Sequence, residues 1–101
     1  MDRFSLTTPE QVAANLASRI RALRLAQGWK QSTLAERSGV SLGSLRRLED
    51  TGKISLDSLL RLSFALYRLD DFDGLLKPSP ASSIAELQAA ETQPERKRGR
   101  V

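Results

Sequence analysis

The chain has 101 residues, of which 40% are hydrophobic, enough for one modest core and too few for a second domain. It contains neither histidine nor cysteine, which excludes Ser/His and Cys/His nucleophilic pairs, the usual zinc ligands, thiol redox chemistry and a disulfide framework, so neither catalysis nor a cofactor is expected. Lysine and arginine number 16 against 12 acidic residues, a net charge of +4, and a polyanion is the first partner to consider.

No apolar run reaches the roughly 18 to 20 residues that span a bilayer, and Met1-Asp2-Arg3-Phe4 lacks the basic-then-apolar plan of a signal peptide. A cytoplasmic protein without membrane contact is therefore expected. Residues 1–8 read as an N-terminal arm, residues 9–76 as an all-helical domain, and residues 77–101 as a linker and basic tail, because leucine recurs at three- and four-residue spacing only within the middle segment.

In chain order, Thr8 before Pro9, with Gln11 three positions beyond Thr8, predicts a capped helix start. Val12, Leu16, Ile20 and Leu23 then form an apolar stripe, and Gly28 suits the left-handed stop. Trp29 is expected to pack back onto the core rather than to serve as a stacking platform. A second helix over Gln31 to Ser38 turns Leu34 and Ala35 inward, with Glu36 and Arg37 outward. Gly39 breaks it, Val40 plugs the turn, and Ser41 caps a third helix that runs to about Asp50 and stops at Gly52. Two short helices joined by a glycine-containing turn form a helix-turn-helix pattern. Ser55 caps a fourth helix with Leu59, Leu62 and Leu66 on one face and Leu56 and Ala65 nearby. Asp70 or Asp71 caps a short fifth helix through Leu76. Beyond it, Lys77-Pro78-Ser79-Pro80 reads as a spacer, and Ser82 or Ser83 caps a short helix over Ile84 to Ala90 before the basic run of Glu95 to Val101.

The positive charge is concentrated. Between Arg19 and Lys53 lie eight basic residues and three acidic ones, a local excess of +5. On a helical wheel of about 100 degrees per residue, Leu45 and Leu48 set the buried side of the third helix. Gly43, Arg46, Arg47 and Asp50 then face outward, and Leu42 sits on the boundary. Such a helix fits the DNA major groove, and arginine can donate two hydrogen bonds to guanine. Lys30 and Gln31, at the positive end of the second helix, suit a phosphate, as does Lys53 after the third. Gly43 inside a helix costs about 1 kcal/mol relative to alanine. Either a close approach of DNA or a tight helix-to-helix contact would explain it. Arg24 and Glu49, each near the inner boundary of its helix, are expected to form an ion pair that ties the first and third helices together, with a secondary role in holding Arg24 toward a phosphate.

These residues resemble the Cro/repressor-type, or XRE, helix-turn-helix family. The likeness runs through Ile20-Arg21-Ala22-Leu23-Arg24, Gly28 to Ala35, Gly39-Val40-Ser41, Leu45 to Glu49, and Ser55-Leu56 with Leu59 and Leu62. What the resemblance implies is an all-α, five-helix, lambda-repressor-like domain that dimerises on double-stranded DNA and places the helix after Ser41 in the major groove. By position it makes Leu42, Gly43 and Arg47 base-facing, sets Arg46 at the groove edge, and puts Ser44 and Gln31 on the phosphate backbone. Many members carry polar residues where this chain has Leu42 and Gly43, which points to sparse direct readout, with groove shape supplying the remainder. A repressor acting as a homodimer on a pseudo-palindromic operator is the expected function. The segment Tyr67 to Leu76, about two residues longer than the common form, and the tail ending Arg96-Lys97-Arg98-Gly99-Arg100 are also similar to HipB-type antitoxins. That resemblance implies a HipA-like kinase toxin as an alternative partner, with Ile84 and Leu87 as its apolar contacts.

Overall fold

A computed structural model of the chain describes residues 7–80 and 87–89. Four α-helices follow in order, α1 (Pro9–Ala26), α2 (Gln31–Ser38), α3 (Leu42–Thr51) and α4 (Leu56–Ala65), and a single 3-10 turn over Leu69–Phe72 completes an all-α set of five. The described residues contain no strand. Two compact units divide between Asp71 and Phe72.

The helix starts are made by short oxygen-bearing side chains. Thr8 Oγ1 accepts from the Gln11 amide at 3.1 Å while the Gln11 side chain accepts from the Thr8 amide at 3.2 Å, a reciprocal capping box. Ser41 and Ser55 cap α3 and α4 by accepting from the amides of Ser44 and Ser58, each at 3.1 Å. Gly28, Gly39 and Gly52 take up φ near +78, +77 and +79 after α1, α2 and α3. Gly52 is doubly constrained, because a Cβ there would lie 3.1 Å from Ala13 Cβ and 3.2 Å from its carbonyl carbon.

The core is drawn from every α-helix. Ala17 and Ile20 of α1, Leu34 and Ala35 of α2, Val40 of the turn, Leu45 and Leu48 of α3, and Leu62 with Leu66 at the end of α4 are all buried. Leu23, Trp29, Leu42, Ile54, Leu59 and Ala65 pack around them, so Trp29 has the expected place beside the core. Helix α1 packs on α3, and α2 on both α3 and α4.

Three expectations need correction. The buried face of α1 is Ala17, Ile20 and Arg24, with Ala13 against Gly52, whereas Val12 and Leu16 remain exposed. The close approach of α1 to the end of α3 admits only small side chains, so the larger neighbours one position back are turned to the flank. Similarly, Leu56 is 65% exposed at the start of α4. The fifth element is also shorter than its sequence suggests. Neither Asp70 nor Asp71 precedes it as a cap; both lie inside the 3-10 turn, where Asp71 pairs with Arg68 at 2.9 Å. Tyr67 and Leu76, at φ +64 and +62, bracket the segment, and an α-helix cannot propagate through left-handed residues. Tyr67 occupies the position that glycine takes after the other helices: its amide donates to the Phe64 carbonyl at 3.0 Å, and the Arg68 amide donates to that of Ser63 at 2.8 Å. Leu87–Ala89 are helical. Ser82, Ser83, Ile84 and the basic run of 95–101 lie outside the described residues.

Candidate nucleic-acid interface

Helix α3 is held by Leu45 and Leu48, which are 0% and 1% exposed. Their three-residue spacing fixes the rotation of the helix, and it leaves Gly43, Ser44, Arg46, Arg47 and Asp50 exposed with Leu42 half-buried at the edge. This is the outward face expected from the wheel. Ser44 is tied to the cap, because the Ser41 hydroxyl donates to Ser44 Oγ at 2.9 Å. At the other end Thr51 Oγ1 donates to the Arg47 carbonyl at 2.7 Å and accepts from the Lys53 amide at 3.2 Å, which sets Lys53 at the foot of α3.

The ambiguity at Gly43 resolves. A Cβ built there meets nothing within 4 Å, so helix packing does not account for the glycine. The vacant space lies on the exposed face, open to a ligand. Gly43→Ala is expected to stabilise the fold by up to about 1 kcal/mol; were α3 the helix that enters a DNA groove, the added methyl would also weaken duplex affinity about fivefold or more. Thermal unfolding and a binding titration on one preparation check this; a stability gain with unchanged affinity would remove Gly43 from the contact face.

Helix α2 presents its positive end beside α3. Lys30, its N-cap residue, makes no side-chain capping bond, whereas the other three α-helices have theirs. Its first amides are therefore without a side-chain acceptor. Beside it is an open depression of about 460 Å³ lined by Arg21, Arg24, Lys30, Gln31, Glu49 and Asp50.

Arg24 and Glu49 form the expected bridge, and it is bidentate. Arg24 Nε donates to Glu49 Oε2 at 2.9 Å and Arg24 Nη2 to Oε1 at 3.0 Å, with the two side chains only 8% and 5% exposed. Two features of this cluster had no periodic signal in the sequence. Arg24 Nη1 donates to the Trp29 carbonyl at 2.9 Å, and Gln31 Nε2 donates to Glu49 Oε1 at 2.9 Å. Nearby, the Arg37 guanidinium stacks on Trp29 at 4.5 Å from the ring centre. With three donors of Arg24 committed inside the protein, its expected secondary role toward a phosphate is left to two remaining N–H groups on a buried side chain.

Charge neutralisation is uneven. Arg61, Arg68 and Lys77 pair with Asp57, Asp71 and Asp73. Among the described residues no acidic group pairs with Lys30, Arg46, Arg47 or Lys53. The unneutralised cations among the described residues thus include Lys30 before α2, Arg46 and Arg47 on α3 and Lys53 after it, together with Arg19 and Arg21 on α1, and a polyanion would contact such groups. No group of three or more acidic residues that could hold a metal ion occurs among the described residues, and no described helix is long and apolar enough to cross a membrane.

A short helix, a tight glycine turn and a second short helix with an exposed cationic face define a DNA-binding domain of the helix-turn-helix class. Residues 20–66 match the family model for Helix-turn-helix, and this segment belongs to that family, in its XRE branch. The protein is accordingly a DNA-binding transcription regulator whose ligand is double-stranded DNA. No curated protein and no solved structure matches the chain.

Proposed function

We propose that the chain is a cytoplasmic repressor that binds a pseudo-palindromic operator as a homodimer, with half-sites roughly 34 Å apart, one helical turn. The observation that carries this reading is the cationic face of α3: Arg46 and Arg47 exposed and unpaired among the described residues, next to the open space at Gly43. Leu42, Gly43, Arg46 and Arg47 read the groove, with Leu42 suited to a thymine methyl and Arg47 to guanine. Lys30, Gln31, Ser44 and Lys53 hold phosphates and set the register. In support of a dimer, Leu56 and Phe64 of α4 and Tyr67 just after it leave 65%, 69% and 75% of their surfaces exposed, apolar surface that a second copy would cover. The proposed DNA-binding domain is residues 9–76, preceded by an arm of 1–8 and followed by a basic tail of 77–101 that adds general attraction to DNA.

Binding to the DNA upstream of its own gene, against a scrambled duplex of equal length at two salt concentrations, tests the proposal. A preference that persists at higher salt supports an autoregulating repressor; equal, salt-sensitive binding to both removes sequence-specific recognition of that site. Within the complex, Arg47→Ala is expected to relax preference at one base pair by about 1 to 3 kcal/mol, whereas Lys53→Ala weakens all sequences alike and flattens the salt dependence. Uniform losses for both variants would reassign Arg47 to the phosphates. A second reading, an antitoxin that neutralises a HipA-like kinase and represses its own operon, is favoured by Leu87, a 65% exposed leucine on a helical stretch of the tail. Co-purification with a neighbour-encoded kinase separates the two.

A further inference from the structure

The Glu49 carboxylate does more than neutralise Arg24. Its Oε1 accepts from both Arg24 Nη2 at 3.0 Å and Gln31 Nε2 at 2.9 Å, while Oε2 accepts from Arg24 Nε at 2.9 Å. A carboxylate only accepts, so the Gln31 amide must turn its nitrogen toward Glu49. That bond holds one Nε2 proton and leaves the other for a second acceptor. The two ends of the contact matter: Glu49 lies on α3, the groove helix, whereas Gln31 is the first residue of α2, at its uncapped positive end. Arg24, anchored in turn on the Trp29 carbonyl at 2.9 Å, fixes the carboxylate from α1.

We propose that Glu49 is a positioning residue for DNA binding. Through the Oε1 to Nε2 bond it presets Gln31 as a phosphate donor and keeps that donor in register with the groove face of α3. The inference rests on the reading of Gln31 as a phosphate contact. Its physical basis is preorganisation: ordering a free, rotamer-rich side chain at an interface costs about two- to tenfold in affinity, a loss avoided where the side chain is already held.

The test is a double-mutant cycle on the full chain, read as affinity for a duplex that the parental protein has selected from a random-sequence pool. Gln31→Ala is compared in the parent and in an Arg24→Met, Glu49→Met background, which removes both buried charges together. Gln31→Ala is expected to cost about tenfold in the parent and at least about threefold less in the background lacking Glu49. Equal losses in the two backgrounds, or no loss in the parent, would overturn the positioning role. Should the paired background fail to fold, NMR of the DNA-free parent decides: an order parameter of the Gln31 side-chain amide above about 0.6 supports the preset donor, and one below about 0.6 overturns it. Failure of the parent to enrich any duplex would remove the DNA reading together with this inference, whereas enrichment followed by equal losses would remove this inference alone.

Discussion

Glu49→Ala is expected to lower stability by about 3 to 5 kcal/mol, because it strands a buried guanidinium without its counter-charge. The Arg24 side chain is 8% exposed and gives two of its hydrogen bonds to this one carboxylate. A domain of this size has a total of only about 5 to 10 kcal/mol, so the single variant would sit near its unfolding threshold. Arg24→Met with Glu49→Met removes both charges and fills the space with apolar groups. It is expected to stay within about 2 kcal/mol of the parent, since desolvating an ion pair offsets most of its attraction. The residual cost comes from the Trp29 carbonyl, which loses the Arg24 donor. Urea titration of the three proteins settles the matter: a Glu49→Ala loss under about 1 kcal/mol would mean that the pair is solvated.

The second large effect belongs to Leu45. With none of its surface exposed, Leu45→Ala is expected to cost about 2 to 5 kcal/mol through lost transfer energy and the cavity left behind. Leu56→Ala, at a leucine 65% exposed on α4, should change the stability of the monomer, at concentrations too low for the proposed dimer, by no more than about 0.5 kcal/mol. The comparison of denaturant midpoints at unchanged slope separates burial from side-chain identity. Comparable losses at both leucines would mean that Leu56 is covered, as it would be within a dimer. Leu45 also matters for binding, because with Leu48 it sets which residues of α3 face outward.

Those two effects illustrate which parts of the molecule were legible in the sequence. Local chemistry read well: Thr8, Ser41 and Ser55 cap where their spacing placed them, and Gly39 and Gly52 end the helices of the turn with positive φ. The outward face of α3 followed from Leu45 and Leu48 alone, because a three-residue spacing fixes a helix's rotation. The Arg24 and Glu49 pair was legible because both sit at the inner boundaries of their helices. Helix α1 was harder. Its i, i+3, i+4 spacing fits two adjacent stripes, and the larger Val12 and Leu16 outweigh Ala13 and Ala17 until the nearness of Gly52 is known. The hydrogen bond from Gln31 to Glu49 spans 18 positions, and a polar contact between two helices leaves no periodic trace. Whether Gly43 faces a neighbour or open space is likewise a property of packing, not of spacing.

The place of Trp29 has a practical consequence. It is the one tryptophan in the chain, its ring lies under the Arg37 guanidinium at 4.5 Å, and its carbonyl anchors the side chain that grips Glu49. Nearly all intrinsic emission excited at the red edge of the absorption band therefore originates at the elbow between α1 and α2, two residues before Gln31. The protein carries its own optical reporter, with no dye attached, at the spot where phosphate contact would be felt.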